Sequence, residues 1–289
     1  MTVQISAGTL SAFRTHTYCS APDRRLKSPE EAVAFVKERG YVYFWPIKGV
    51  EMPSLWAAVA GNRRVADAHD DPGHVTWGWK DSLLGKRAWY YAKVLRRKAT
   101  MISLDTAPYF YALSQNYGAP EEDYLLQYEQ GKLTQEAKAV YEALMREGPL
   151  DTIALRRAAR LTSRESDTRF NRALEELQID FKIMPVGVAE AGAWRYAFVY
   201  DMVSRHLPGL PERARPIGTH QARRKLAELY FRSVGAAQAR DLGKLFGWPA
   251  REVEQTVEAL AGAGIVRRGM KVARRPGEWI ALAELCAGR

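Results

Sequence analysis

The chain has 289 residues and a formal net charge of +10, with 47% apolar and 26% charged residues, ordinary proportions for a globular protein of about two domains. No apolar run reaches the roughly 20 residues that cross a bilayer, and the first 27 residues lack the continuous apolar stretch of a signal peptide. The two cysteines, Cys19 and Cys286, stand near opposite ends with no paired spacing, which argues against structural zinc and for a reducing, cytoplasmic location.

Residues 1–27 show no period and are expected to be an irregular arm. Ser28-Pro29-Glu30-Glu31 is a helix start, with a serine cap, proline at the first helical position and glutamate three residues after the cap. That helix carries Val33, Phe35 and Val36 and should stop at Gly40. Tyr41-Val42-Tyr43-Phe44-Trp45-Pro46 reads as an extended aromatic segment, and a short helix begins near Met52 and ends near Gly61. Residues 67–79 are a polar turn region that gathers His69, Asp70, Asp71 and His74. An Asp-Pro-Gly turn needs no metal, and none is expected. Residues 80–98 read as a helix with a basic end, Arg96-Arg97-Lys98, followed by a strand over 100–104 and a helix over 107–115. Of the 31 aromatic residues, 16 lie between Tyr41 and Tyr128. With flanking Lys and Arg such a concentration suits stacking on unpaired bases, although a bulky core explains it without a ligand. Residues 28–130 are therefore expected to form an aromatic-rich amino-terminal domain, within which 28–104 can be fitted as a degraded copy of the units that follow.

From Thr134 a pattern begins that recurs near the carboxyl end. Residues 134–147 form an amphipathic helix on Ala137, Val140, Tyr141 and Leu144, stopped at Gly148-Pro149. Helices over 152–161 and 168–177 follow, then a hairpin with strands over 181–186 and 194–200. Residues 219–285 give the same order, with Leu226 and Tyr230, Leu242 and Leu245, and Val253, Val257 and Leu260 lining three helices before a hairpin that includes Trp279. Pairing Gly148 with Gly235, Leu174 with Leu260 and Trp194 with Trp279 gives offsets of 87, 86 and 85 residues, the near-constant step of an internal repeat. Three helices and a hairpin are the order of a winged helix-turn-helix, whose usual work is binding duplex nucleic acid. The expected fold class is mainly α with small β-hairpins (α+β), in tandem winged helix-turn-helix units over 131–204 and 217–289 joined by a linker at 205–216.

Lys and Arg exceed Asp and Glu by 2 over residues 1–130, by 1 over 131–200 and by 7 over 201–289. A local excess of that kind is the footprint of a phosphate backbone, and a solvated basic face also produces it. The candidate DNA contacts are Arg267, Arg268, Lys271, Arg274 and Arg275 on the last hairpin, with Arg164, Arg169 and Arg172 at the third helix of the earlier unit. The third helix of the last unit turns Arg251, Glu252, Glu254, Gln255 and Glu258 outward. Three carboxylates facing phosphates repel them, so backbone contact by the hairpin is expected in place of base reading. No phosphate-binding glycine loop and no HExxH or GxSxG string occurs, so no cofactor is expected and double-stranded DNA is the expected partner.

The string RRKLAELYFRSVGAAQARDLGKLFGW near the end, EGPLDTIALRR in the middle, and the 40–56 segment ending in PSLW resemble the AlkZ/YcaQ-like winged-helix DNA glycosylase superfamily, over about residues 28–285. The resemblance implies excision of bulky or crosslinking alkylated bases, with a Gln-x-Gln or Gln-x-Asp pair near the amino end positioning the attacking water. The segment that aligns with that pair reads Tyr41-Val42-Tyr43-Phe44-Trp45-Pro46 and holds no glutamine. A Gln-x-Asp string stands elsewhere, at Gln178-Ile179-Asp180. There the carboxylate suits a base and the amide a positioning group, unless the string is only a polar helix end. Three functions stay open: a DNA-binding protein without chemistry, whether a regulator, an architectural factor or a participant in repair of alkylated or crosslinked DNA; a base-excision glycosylase with a non-standard residue set, its aromatics wedging at an extruded base; and a protein-interaction module using the acidic third helix.

Overall fold

The computed structural model describes residues 4–192 and 195–286. The fold is mixed, with many helices and small sheets. It divides into two compact units, Met1–Trp79 with Thr219–Arg289, and Lys80–Gly218. No helix among the described residues is long and apolar enough to cross a membrane.

In the first unit a four-stranded sheet runs in the order Gln4–Ile5, Val266–Val272, Arg275–Leu282, Ala236–Ala237. The helices Thr219–Val234, Ala239–Phe246 and Ala250–Gly262 precede its hairpin. Leu226, Leu242, Val257 and Leu260 are buried where the apolar period places them. The aromatic segment is anchored to this body, since the Tyr41 hydroxyl donates to the Leu226 carbonyl at 2.7 Å.

Residues 1–27 correct the expectation of an irregular arm. They hold the strand Gln4–Ile5, paired in parallel with Lys271 and Val272, and the eleven-residue helix Ala7–Thr17 capped by Ser6. The helix escaped the apolar period because its buried face includes Arg14 and Thr17. The Arg14 guanidinium donates to the carbonyls of Val234 and Ala236, and the Thr17 hydroxyl to that of Ser233. Burial of these polar groups is tolerated because their donors are matched.

In the second unit a three-stranded sheet runs Leu150–Asp151, Ala197–Met202, Ile183–Ala189. The helices Gln135–Glu147, Thr152–Ala158 and Asp167–Ile179 pack Val140, Tyr141, Leu144, Leu155, Phe170 and Leu177 into one core. The helix expected over 80–98 is instead Val75–Leu83, and the chain then forms an antiparallel pair of strands, Tyr90–Lys93 and Ala99–Ile102. Gly85 turns at φ +74, and Trp89, Tyr90, Tyr91 and Ala92 are buried in succession, the mark of a strand covered on both faces. The second lobe also buries Lys80, whose ammonium meets the Tyr196 hydroxyl at 2.8 Å and the Asp81 carboxylate at 2.8 Å.

The offset between the two helix–helix–helix–hairpin segments is not constant. The first two helices are displaced by 87, as in Glu147 against Val234, while the third pairs Phe170, Leu174 and Leu177 with Val253, Val257 and Leu260 at 83. The closing strands pair Met202 with Leu282 at 80. Leu174 thus corresponds to Val257, not to Leu260, because the connection before the third helix is shorter in the later segment. Trp194, matched with Trp279 on sequence, lies outside the described residues.

Candidate nucleic-acid interface

The carboxyl-terminal hairpin buries Val266, Met270 and Val272 and exposes Arg267, Arg268 and Lys271. Alternation across the pleat, broken by irregular register opposite Trp279 and Ala281, puts the cations on the solvent side. Arg274 sits in the tight turn between strands with φ +61. The five expected cations divide by pairing. Arg268 is held by Glu254 of the helix Ala250–Gly262 at 2.6 Å, and Arg275 approaches Glu51 at 3.8 Å. Arg267, Lys271 and Arg274 have no ion-pair partner among the described residues.

Glu51 is shared: Arg14 reaches it at 2.8 Å, and all three side chains line a cavity of about 290 Å³ with Tyr18 and Asn62. The Tyr18 hydroxyl is buried there without a hydrogen-bond partner among the described residues, and burial pushes its pKa above the usual phenol range. Sequence reasoning missed this site because its residues come from three distant stretches.

On the second unit, Arg164 is exposed ahead of the third helix, Arg169 pairs with Glu136 at 3.1 Å, and Arg172 is exposed without an ion-pair partner among the described residues. Gln178 and Asp180 are both occupied by structural contacts. The buried Gln178 side chain accepts from the Lys93 amide at 3.0 Å and donates to the Leu174 carbonyl at 2.9 Å. Asp180 accepts from the Gln115 amide at 2.9 Å and lies 3.4 Å from Lys182. Burial draws the Lys182 ammonium below the usual lysine pKa range, against the pull of Asp180. Both polar atoms of the buried Gln178 amide thus already hold the backbone, which favours a structural role for this glutamine.

Tyr43 and Phe44 are each 1% exposed, and Trp45 is half-buried between the rings of Trp56, His74 and Trp77 at 5.2, 6.0 and 5.9 Å. Trp77 remains 39% exposed. Most of the expected aromatics are core. His74 binds the Ala66 carbonyl at 3.0 Å and Asp71 pairs with Arg63, so the histidine–aspartate turn is held by local bonds. No group of three or more His, Cys, Asp and Glu suited to a metal occurs among the described residues.

No curated protein matches the sequence. Among solved structures, the Streptomyces sahachiroi DNA glycosylase AlkZ matches with a TM-score of 0.60 at 11% identity, over 98% of this chain and 72% of that one. At that identity the likeness concerns the fold. The sequence profile of the family described as AlkZ related matches residues 26–247, which is most of the chain and covers the aromatic segment, the second unit and the first two helices of the carboxyl-terminal segment. The chain belongs to the AlkZ-related family.

Proposed function

We propose that this protein binds duplex DNA through its sugar-phosphate backbone, in the repair of alkylated or crosslinked DNA, by means of tandem winged helix-turn-helix units. The observation that carries the reading is the group of cations without an ion-pair partner among the described residues, Arg267, Lys271 and Arg274, on one exposed hairpin of a chain from this family. Arg164 and Arg172 supply a second set on the middle unit. The element order in residues 134–202 and 219–282 supports the winged-helix reading. Residues 29–102 follow the same order along the chain, with helices Pro29–Arg39, Leu55–Ala60 and Val75–Leu83 interrupted by the strand Tyr41–Tyr43 and closed by two strands, which supports a third copy.

Binding without base excision is the preferred form. The segment that the family resemblance aligns with a water-positioning pair, Tyr41-Val42-Tyr43-Phe44-Trp45-Pro46, holds buried Tyr43 and ring-packed Trp45 and carries no carboxamide or carboxylate side chain. Fluorescence anisotropy of a labelled duplex against rising salt tests the binding, which should weaken steeply as counterions compete for the phosphates. Affinity indifferent to salt sinks it. Incubation with alkylated duplex followed by cleavage at abasic sites tests the chemistry: strand breaks above background establish the glycosylase instead.

A further inference from the structure

The turn between the strands Tyr90–Lys93 and Ala99–Ile102 is built from two arginines in a conformation that side chains avoid. Arg96 has φ 52 and ψ 31, and Arg97 has φ 58. The Lys98 amide closes the turn on the Leu95 carbonyl at 2.9 Å. Both central residues being left-handed is the geometry for which Asn-Gly is the favoured pair. Consecutive arginines there are strained by their own Cβ atoms, and strain of this kind persists where the side chains serve a function.

The charges point the same way. Arg96, Arg97 and Lys98 are all exposed. Arg96 and Lys98 make no ion pair among the described residues, and Arg97 comes only within 3.9 Å of Glu175, which Lys93 already holds at 2.9 Å. Arg97 also lines a cavity of about 390 Å³ together with Lys132 and the unpaired Arg172. The two carboxylates in its wall are engaged elsewhere. Glu176 accepts from the Thr134 amide and hydroxyl at 2.8 and 3.0 Å, and Asp180 is held by Gln115 and Lys182.

We infer that this arginine turn, with Arg172 and Lys132 beside it, is a second phosphate-gripping site for the DNA backbone, on the second unit and separate from the carboxyl-terminal hairpin. The inference rests on the proposed DNA binding. A guanidinium fork donates two parallel bonds to a phosphate, so a pair of them on a short turn grips adjacent phosphates of one strand.

The test exploits the strain. Arg96→Asn with Arg97→Gly relaxes the turn while removing both cations, so thermal stability and DNA affinity should move in opposite directions. In the full chain the double variant should melt higher than the parent. Its slope of log affinity against log salt should fall by about 2 and its affinity by roughly tenfold or more near 0.1 M salt, in duplex anisotropy. Arg96→Gln with Arg97→Gln, which keeps length and loses charge, should lower the slope equally, and Arg96→Lys with Arg97→Lys should retain it. Parental affinity and slope in both neutral variants overturn the site while leaving DNA binding intact. A parent chain that does not bind duplex overturns the site together with the reading beneath it.

Discussion

The segments 134–202 and 219–282 share an element order and differ in where they keep their cations. In the earlier segment the third helix carries Arg169 and Arg172 while its hairpin begins Ile183-Met184-Pro185-Val186. In the later one the third helix is acidic and the hairpin basic. Glu252 and Glu254 of that acidic helix pair with Arg223 at 2.5 Å and Arg268 at 2.6 Å, so they serve internal bonds, and the free positive charge moves outward along the strands. Two segments of the same element order thus carry their charge on different elements, which a total for the chain conceals.

Reversing charge on the later hairpin should break this contrast most severely. Arg267→Glu, Lys271→Glu and Arg274→Glu together should lower the salt slope by roughly 3 and affinity by about 100-fold or more near 0.1 M salt, by anisotropy. Reversing Arg164 and Arg172 should cost less, and equal losses would erase the distinction between the segments.

Buried leucines sharpen the structural side of the comparison. Leu177→Ala and Leu260→Ala occupy matching, fully buried positions and should each cost about 2–5 kcal/mol in denaturant unfolding. A small loss at either one contradicts the correspondence at offset 83.

The glycines after the first helices separate more finely. Gly148 and Gly235 have φ +83 and +75, and Gly148, with ψ −156, sits in a region that is essentially glycine's own, so alanine there should cost about 1–3 kcal/mol through backbone strain alone. At Gly235 a Cβ would fall 2.7 Å from the Phe13 ring and 2.8 Å from Leu285, so Gly235→Ala should lose about 1–3 kcal/mol more. Equal melting temperatures for the two variants would show that the ring and the leucine move aside freely.

The smallest effect concerns Glu254. Glu254→Gln frees Arg268 and removes a nearby negative charge, so duplex affinity should rise a few-fold at low salt, since an exposed pair of this kind is worth about 0–1 kcal/mol. A fall in affinity would mean that the pair positions Arg268 for contact.

The parts of this structure legible in the sequence are those set by apolar period and turn residues. The helices carrying Leu144, Phe170, Leu226 and Leu260 follow from spacing alone, as does the helix start at Ser28, whose hydroxyl caps the Glu31 amide. Polar burial was illegible: Arg14 and Thr17 face inward because carbonyls 216 or more positions away accept their protons. The pairing of candidate contacts was equally hidden. Arg268 and Arg275 look like Arg267 in the sequence, and only the fold brings Glu254 and Glu51 to them. Gln178 shows the converse, a catalytic-looking string whose atoms hold a strand to a helix.

The first unit is assembled from two stretches of chain far apart in sequence, with Gln4 beside Lys271 and Arg14 bonded to Ala236, whereas the second draws only on residues 80–218. On a ribosome the second unit can close as soon as its own residues emerge, while the first must wait for the stretch that begins at Thr219. Until then Tyr41 lacks the Leu226 carbonyl that its hydroxyl bonds and the Phe246 ring that it packs against, so the aromatic segment has no seat. Closing so long a loop raises contact order and slows folding. Refolding should therefore run in two phases, the faster one belonging to the inserted lobe, and chains cut short before residue 219 should aggregate through their waiting aromatic segment.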